Sequence, residues 1–359
     1  MTLKIPKVSA PTLLINTQQC SENIRVMAEK AKRNQLVFRP HFKTHQSEVI
    51  ANLFRNEGIF CITVSSFRMA EEFALQGWHD ITVAFPVNIL EIALLNKLTS
   101  KITLNLTVES EEVVDFLNHH LKQVVSVWIK IDTGYHRTGI PSTDDKAISK
   151  LIETISKSRF INFLGFLVHS GHSYQADGKN ELELIHQQTL TQLQQLKSKY
   201  SSLFPNLKVS IGDTPTCSTM DSFEGVDEIR PGNFVFYDAA QLFIGSCQLS
   251  QIAAFMACPV VAKHAERSEL VLYGGAVHFS KDSFQHPTFG TCYGLMVEFT
   301  KQGFELIPGC YVKSLSQEHG ILVVTKEFLK EKNPGDIVYV IPSHSCLTAN
   351  LMKNDTRFI

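Results

Sequence analysis

The sequence predicts an α/β barrel of the TIM type followed by a second, mostly β domain. Between Leu36 and Asp238, short β-branched or aromatic runs alternate with amphipathic helical patterns, as parallel βα units do. Eight such runs can be counted, the number that closes a barrel, and no GxGxxG or Walker sequence favours a doubly wound nucleotide fold. After Ala240 the helical periodicity stops and strand-like runs separated by turns take over.

In chain order the barrel strand candidates are QLVFRP from Gln35, IFCITV from Ile59, DITVAF from Asp80, ITLNLTV from Ile102, VSVWIKI from Val125, INFLGFLV from Ile161, LKVSIG from Leu207 and DEIRPGNFVF from Asp227. Helical stripes lie between them. Val49, Ile50, Leu53 and Phe54 form one face, with Gly58 where a left-handed cap belongs; Met69, Ala70, Phe73 and Ala74 form another, closed by Gly77. The later runs CPVVAKHA, SELVLYGGAVHF, TCYGLMVEF, ILVVTKEF and DIVYVIP read as strands of the second domain. The expected division is a barrel over residues 16–245 and a β domain over 246–359, with an N-terminal strand in 1–15 joining the latter.

Of the 359 residues, 44% are hydrophobic and 19% charged, enough apolar material for a large core and unlike a disordered chain. The formal charge of −1, without a run of like charge, offers no electrostatic footprint for nucleic acid or anionic lipid, so a small-molecule substrate is expected. Eight cysteines are scattered without a CxxC pair, and the N-terminus does not resemble a signal peptide; a reduced, cytoplasmic protein is expected. The apolar stretches are far shorter than the ~20 residues of a membrane span.

Barrel chemistry belongs at the C-terminal ends of the strands. The first ends RPHFKTH, placing Lys43 between His41 and His45; a partly buried lysine among cations is a Schiff-base candidate, and a solvated surface lysine is the alternative. The fifth ends KIDTGYHRTG, where Arg137 suits an anion or ring oxygen unless it pairs with Asp132. The sixth ends HSGHSY, with His169, His172 and Tyr174 at the mouth, although any single histidine there is equally read as a satisfied core residue. The loops after strands seven and eight are the usual phosphate site of such barrels; Gly212, Thr214, Thr216, Gly232 and Asn233 fit it, and also fit ordinary turn chemistry. A reactive lysine facing a phosphate cradle suggests pyridoxal 5′-phosphate (PLP). Near the C-terminus, PSHSCLTAN puts His344 and Cys346 two apart, on one face if the segment is extended, as an imidazole and thiolate pair for zinc; an incidental His beside a buried Cys is the alternative.

These motifs resemble the fold-type III PLP enzymes, and within them the D-serine dehydratase and D-threonine aldolase group. The resemblance runs from Pro11 to Leu351 through RPHFKTH, HSGHSY, GDTPT, RPGNFVFYD and PSHSCLTANL. It implies an alanine-racemase-like barrel with a C-terminal β domain, working as a homodimer. Lys43 matches the Schiff-base lysine and catalytic base. Arg137, His169, Tyr174, Thr214, Thr216, Gly232 and Asn233 match positions about the cofactor, and His344 and Cys346 match the metal site. The dehydratases of the group carry HxC whereas the aldolases characteristically carry HxD, so Cys346 favours dehydration of a D-3-hydroxy amino acid, D-serine first. Retro-aldol cleavage and 3-hydroxy-D-aspartate dehydration are the nearest rivals. A racemase has no evident use for the HxC pair, and a barrel-only PLP-binding protein has none for the second domain.

Overall fold

All eight runs expected to form barrel strands do so, in a computed structural model that describes residues 5–359. Ahead of them stands β1 (Thr12–Ile15). The barrel strands are β2 (Val37–Phe38), β3 (Cys61–Val64), β4 (Asp80–Pro86), β5 (Thr103–Val108), β6 (Val125–Asp132), β7 (Ile161–Val168), β8 (Lys208–Ile211) and β9 (Glu228–Ile229). They pair in parallel in the order β2, β9, β8, β7, β6, β5, β4, β3. A parallel bridge between His41 and Thr63 brings the ring nearly to closure, with Phe42 N donating to Thr63 O at 2.8 Å and Thr63 N to Pro40 O at 2.9 Å.

Aliphatic and β-branched residues make these strands because both of their faces are covered; five of the six residues of β5 are buried. Arg39, just past β2, ties distant strands together from inside, with Nε 2.6 Å from Glu228 of β9 and Nη1 2.6 Å from Asp80 of β4. Breaking such a buried group by removing one partner leaves an uncompensated charge, so it fixes which strands meet more than it adds stability. Both expected helix stops occur: Gly58 and Gly77 follow the helices Glu48–Asn56 and Phe67–Leu75 with φ of 74° and 83°, a region that glycine enters without steric cost.

The described residues fall into two compact units: a barrel unit of Arg25–Lys43 and Ala51–Gly232, and a β unit of residues 5–24, Thr44–Ile50 and Asn233–Ile359. The β unit contains β1 and then β10 (Ala254–His264), β11 (Glu269–Tyr273), β12 (Gly294–Thr300), β13 (Gly303–Leu315), β14 (His319–Val323), β15 (Ile337–Pro342) and β16 (Thr356–Phe358). Antiparallel pairing in the order β11, β14, β13, β12, β15, β10, with β10 also pairing β11, closes six strands into a ring. In this unit β1 pairs antiparallel to β10 and parallel to β16; residues 1–4 of the expected N-terminal segment lie outside the described residues.

Three details differ from the sequence expectation. The GAVHF part of SELVLYGGAVHF holds the helix Ala276–Phe279, and KEF opens the helix Lys326–Glu331, whose first turn is capped by the Thr325 hydroxyl. The 13-residue strand β13 escapes the sequence pattern because Pro308 and Gly309 interrupt its alternation; its register slips between Val312 and Ser314. Among the described residues no helix is long and apolar enough to cross a membrane, and the eight cysteines are free thiols.

Candidate active site

In the barrel unit, Lys43 stands on a segment anchored by its neighbour. Phe42 is fully buried and meets the rings of Phe54, Phe73 and Trp78 at 5.0, 5.0 and 4.9 Å, while Lys43 is exposed. Lys43 N donates to His41 Nδ1 at 3.4 Å. Burial holds the His41 imidazole well below its ordinary pKa, reinforced by the positive charges of Lys43, Arg230, His169 and Arg137. His169 is depressed in the same way, by burial first and then by Lys43 and Lys130; its Nδ1 is in contact with Gly212 O. Both rings are therefore neutral near pH 7 and serve as hydrogen-bonding groups, not as cations.

Arg137 does not pair with Asp132. The Asp132 carboxylate instead accepts from the backbone N of Gly134, Tyr135 and His136 and lies 2.9 Å from His136 Nδ1, closing the turn on itself. Arg137 lies over the Tyr135 ring at 4.9 Å, and Tyr135 meets His169 edge-on at 5.9 Å. Gly171 is required here: a Cβ would fall 2.3 Å from the Tyr135 ring. Tyr174 and Thr214 are brought together, Thr214 N donating to the Tyr174 hydroxyl at 3.1 Å. Thr216, by contrast, is engaged in a helix cap, with both N and Oγ1 donating to Asp213 at 2.8 Å. Gly232 is buried at the end of the barrel unit.

Sequence reasoning passed over Lys130 and Arg230. Lys130, on β6, is pushed down to about 7 by burial, then by Arg230 and Arg137, against the pull of Asp132 and Glu109. Arg230 is buried, donating from Nε to Ser210 Oγ at 2.7 Å and from Nη2 to Val168 O at 2.6 Å. Lys43, Lys130, Arg137 and Arg230 thus crowd positive charge around two neutral histidines. Thr133 Oγ1 and His172 Nδ1 are buried in the adjoining loops without a hydrogen-bond partner among the described residues. An anionic ring compound bearing a phosphate and an aldehyde fits this donor set: it would balance the charge, use the idle polar atoms and find an amine in Lys43.

The β unit holds the second group. His344 is the N-cap of the helix Ser345–Leu351 and Cys346 lies in its first turn, so the expected extended segment does not exist; the chain turns at Ser345 and still keeps the imidazole and thiol in contact. Asp238, with no exposed surface, organises the turn. Its Oδ2 accepts from Ser345 N at 3.0 Å and from Asn233 Nδ2 at 2.6 Å, and lies 3.3 Å from His344 Nδ1. Asn233, expected at the phosphate, points its amide nitrogen at Asp238, Ser345 Oγ (3.0 Å) and Cys346 Sγ (3.5 Å). Thr44 Oγ1 lies 3.3 Å from Cys346 Sγ. Burial disfavours the His344 imidazolium, but the Cys346 charge and the hydrogen bonds to Asp238 and Cys346 outweigh it and hold the ring well above its ordinary pKa.

Among the described residues no cluster of three or more His, Cys, Asp or Glu ligands is assembled. A zinc ion fits as a two-ligand site: imidazole and thiolate are its preferred donors, a divalent charge would offset the thiolate and carboxylate, and positions stay open for water or substrate. Asn233 Oδ1, buried and without a hydrogen-bond partner among the described residues, would accept from such a water.

Residues 15–240 match the family of the alanine racemase N-terminal domain, and residues 253–355 match a putative serine dehydratase domain. The D-serine dehydratase of Dictyostelium discoideum is 29% identical, the alignment covering 99% of this chain and 96% of that protein. The solved structure of D-threo-3-hydroxyaspartate dehydratase from Delftia sp. is similar with a TM-score of 0.89 at 26% identity, covering 96% of this chain and 93% of that one. A cysteine-to-alanine mutant of D-threo-3-hydroxyaspartate dehydratase in the metal-free form gives a TM-score of 0.87 at 25% identity, again over 96% and 93% of the two chains.

Proposed function

Because this chain belongs to the family of the alanine racemase N-terminal domain, we propose that it is a PLP-dependent, zinc-assisted lyase of D-3-hydroxy amino acids, with D-serine its first substrate. The observation that carries the reading is the His344 and Cys346 pair, which lies within the stretch that matches the serine dehydratase domain and whose imidazole meets the buried Asp238 carboxylate. A racemase has no task for that pair, and a passive PLP carrier has none either.

Lys43 would hold the cofactor, with Arg137, His169, Tyr174, Thr214 and Gly232 around it. PLP supplies an electron sink for the carbanion formed at the substrate α-carbon. His41 and His169, kept neutral by burial and by neighbouring cations, do not compete with Lys43 for a charged state. Lys43 Nζ would act as the base that removes the α-proton. His344 and Cys346 would hold zinc, which supplies a Lewis acid for the β-hydroxyl, a poor leaving group on its own. Loss of water from D-serine leaves an enamine that tautomerises and hydrolyses, giving pyruvate and ammonia.

The similarity to D-threo-3-hydroxyaspartate dehydratase supports a second substrate of the same reaction, whose extra carboxylate would call for a cation such as the exposed Arg137. Assembly as a homodimer is part of the proposal, and sedimentation of the holoenzyme tests it. For the reaction, a panel of D-amino acids is incubated with the PLP-loaded protein. Ketoacid plus ammonia from D-serine or D-3-hydroxyaspartate supports dehydration; glycine plus aldehyde would transfer the protein to the aldolases. Borohydride reduction followed by peptide mapping should find the pyridoxyl group on Lys43, and another lysine would overturn the site.

A further inference from the structure

The Asp238 carboxylate has no part in the chemistry above, yet it gathers several partners around His344 and Cys346. Its Oδ1 caps the helix Ala239–Phe243 through Gln241 N at 2.9 Å, while Oδ2 collects Ser345 N, Ser345 Oγ, Asn233 Nδ2 and the approach of His344 Nδ1. The residue before it, Tyr237, is a buried aromatic at φ 49°, where a bulky side chain is a genuine outlier. Strain of that kind persists where the surroundings dictate it and often marks a functional site. Here it turns the chain so that Asp238 meets residues more than a hundred positions away.

We propose that Asp238 is the positioning residue of the metal pair. It fixes His344 by accepting from Nδ1–H, which leaves the Nε2 lone pair for the ion and raises its basicity. Asn233 completes the arrangement, its amide donating at once to Asp238 Oδ2 and to Cys346 Sγ, so that one hydrogen-bonded unit orients both ligands and favours the thiolate. The proposal rests on the reading of His344 and Cys346 as metal ligands and extends it to two residues that touch neither ion nor substrate.

The test is zinc affinity, measured on PLP-loaded protein by competition with a chromogenic chelator, alongside activity. Asp238→Asn should bind zinc about 10- to 100-fold more weakly, keep its PLP absorbance, and regain ketoacid production when zinc is raised. Asn233→Ala keeps the carboxylate and should lose severalfold in affinity, which maintains the test if Asp238→Asn does not fold. Wild-type zinc affinity in either folded variant would overturn the positioning role. Should the wild-type protein bind zinc no more tightly than Cys346→Ala, the metal reading itself fails, and the two failures are thereby separated.

Discussion

Replacing Phe42 with leucine tests how the fold holds its lysine. Phe42 has no exposed surface and three ring neighbours within 5.0 Å, Phe54, Phe73 and Trp78, the last two edge-on. Leucine restores most of the aliphatic contact but removes three ring pairs, each worth about 0.5–1.5 kcal/mol beyond area burial, and leaves a small void. The expected loss is about 2–3 kcal/mol, rising to about 3–5 kcal/mol for Phe42→Ala, where the cavity term dominates. Both tryptophans, Trp78 and Trp128, lie in the barrel unit, so urea unfolding of the cofactor-free protein followed by their fluorescence reads the right part of the chain. Because the backbone bond from Phe42 N to Thr63 O also fixes the segment carrying Lys43, faster PLP dissociation should accompany the loss. A change below about 0.5 kcal/mol, the range of surface substitutions, would refute the claim that this aromatic plug anchors the lysine.

Gly171→Ala places a methyl 2.3 Å from the Tyr135 ring, which carries Arg137 on its face; about 1–3 kcal/mol of overpacking and weaker PLP retention are expected, and wild-type PLP affinity in an equilibrium titration would contradict the packing. Lys130→Met in the cofactor-free protein should stabilise it more at pH 6 than at pH 9. Folding pulls this amine from 10.5 down to about 7, so the unfolded chain binds the extra proton between those values. Native stability therefore climbs with pH across that window and is lowest below it, where the ammonium stays charged while buried. A pH-independent difference between wild type and variant in urea midpoints would show that Lys130 is not the group titrating.

The barrel was readable because its strands are dense in β-branched residues and its helix stops are glycines with a mechanical task, as at Gly58 and Gly77. β13 was not, since Pro308 and Gly309 hide a strand that the neighbouring strands enforce. Among the candidate site residues, Lys43, Tyr174 and Thr214 stand out in the sequence by position after strands. Lys130 and Arg230 do not, because a cation in or just past a strand reads as a surface residue until the barrel closes around it. For His344 and Cys346 the proximity was right and the reason wrong: a helix start, not an extended segment, brings them together. Asp238 has no evident role within the motif RPGNFVFYD, because its partners Ser345 and His344 are over a hundred residues downstream and no local pattern points to them. Asn233 was assigned by its loop, whereas its side chain turns to the cysteine.

The most direct test of the central claim is ketoacid release from D-serine by the PLP-loaded protein before chelation, after chelation and after return of zinc. Pyruvate and ammonia should form in equal amounts, fall to background once the metal is removed, and recover with zinc in the wild type but not in Cys346→Ala, whose PLP absorbance should persist. Full activity of the chelated protein, or glycine and aldehyde as the dominant products from D-threonine with no pyruvate from D-serine, would contradict the assignment.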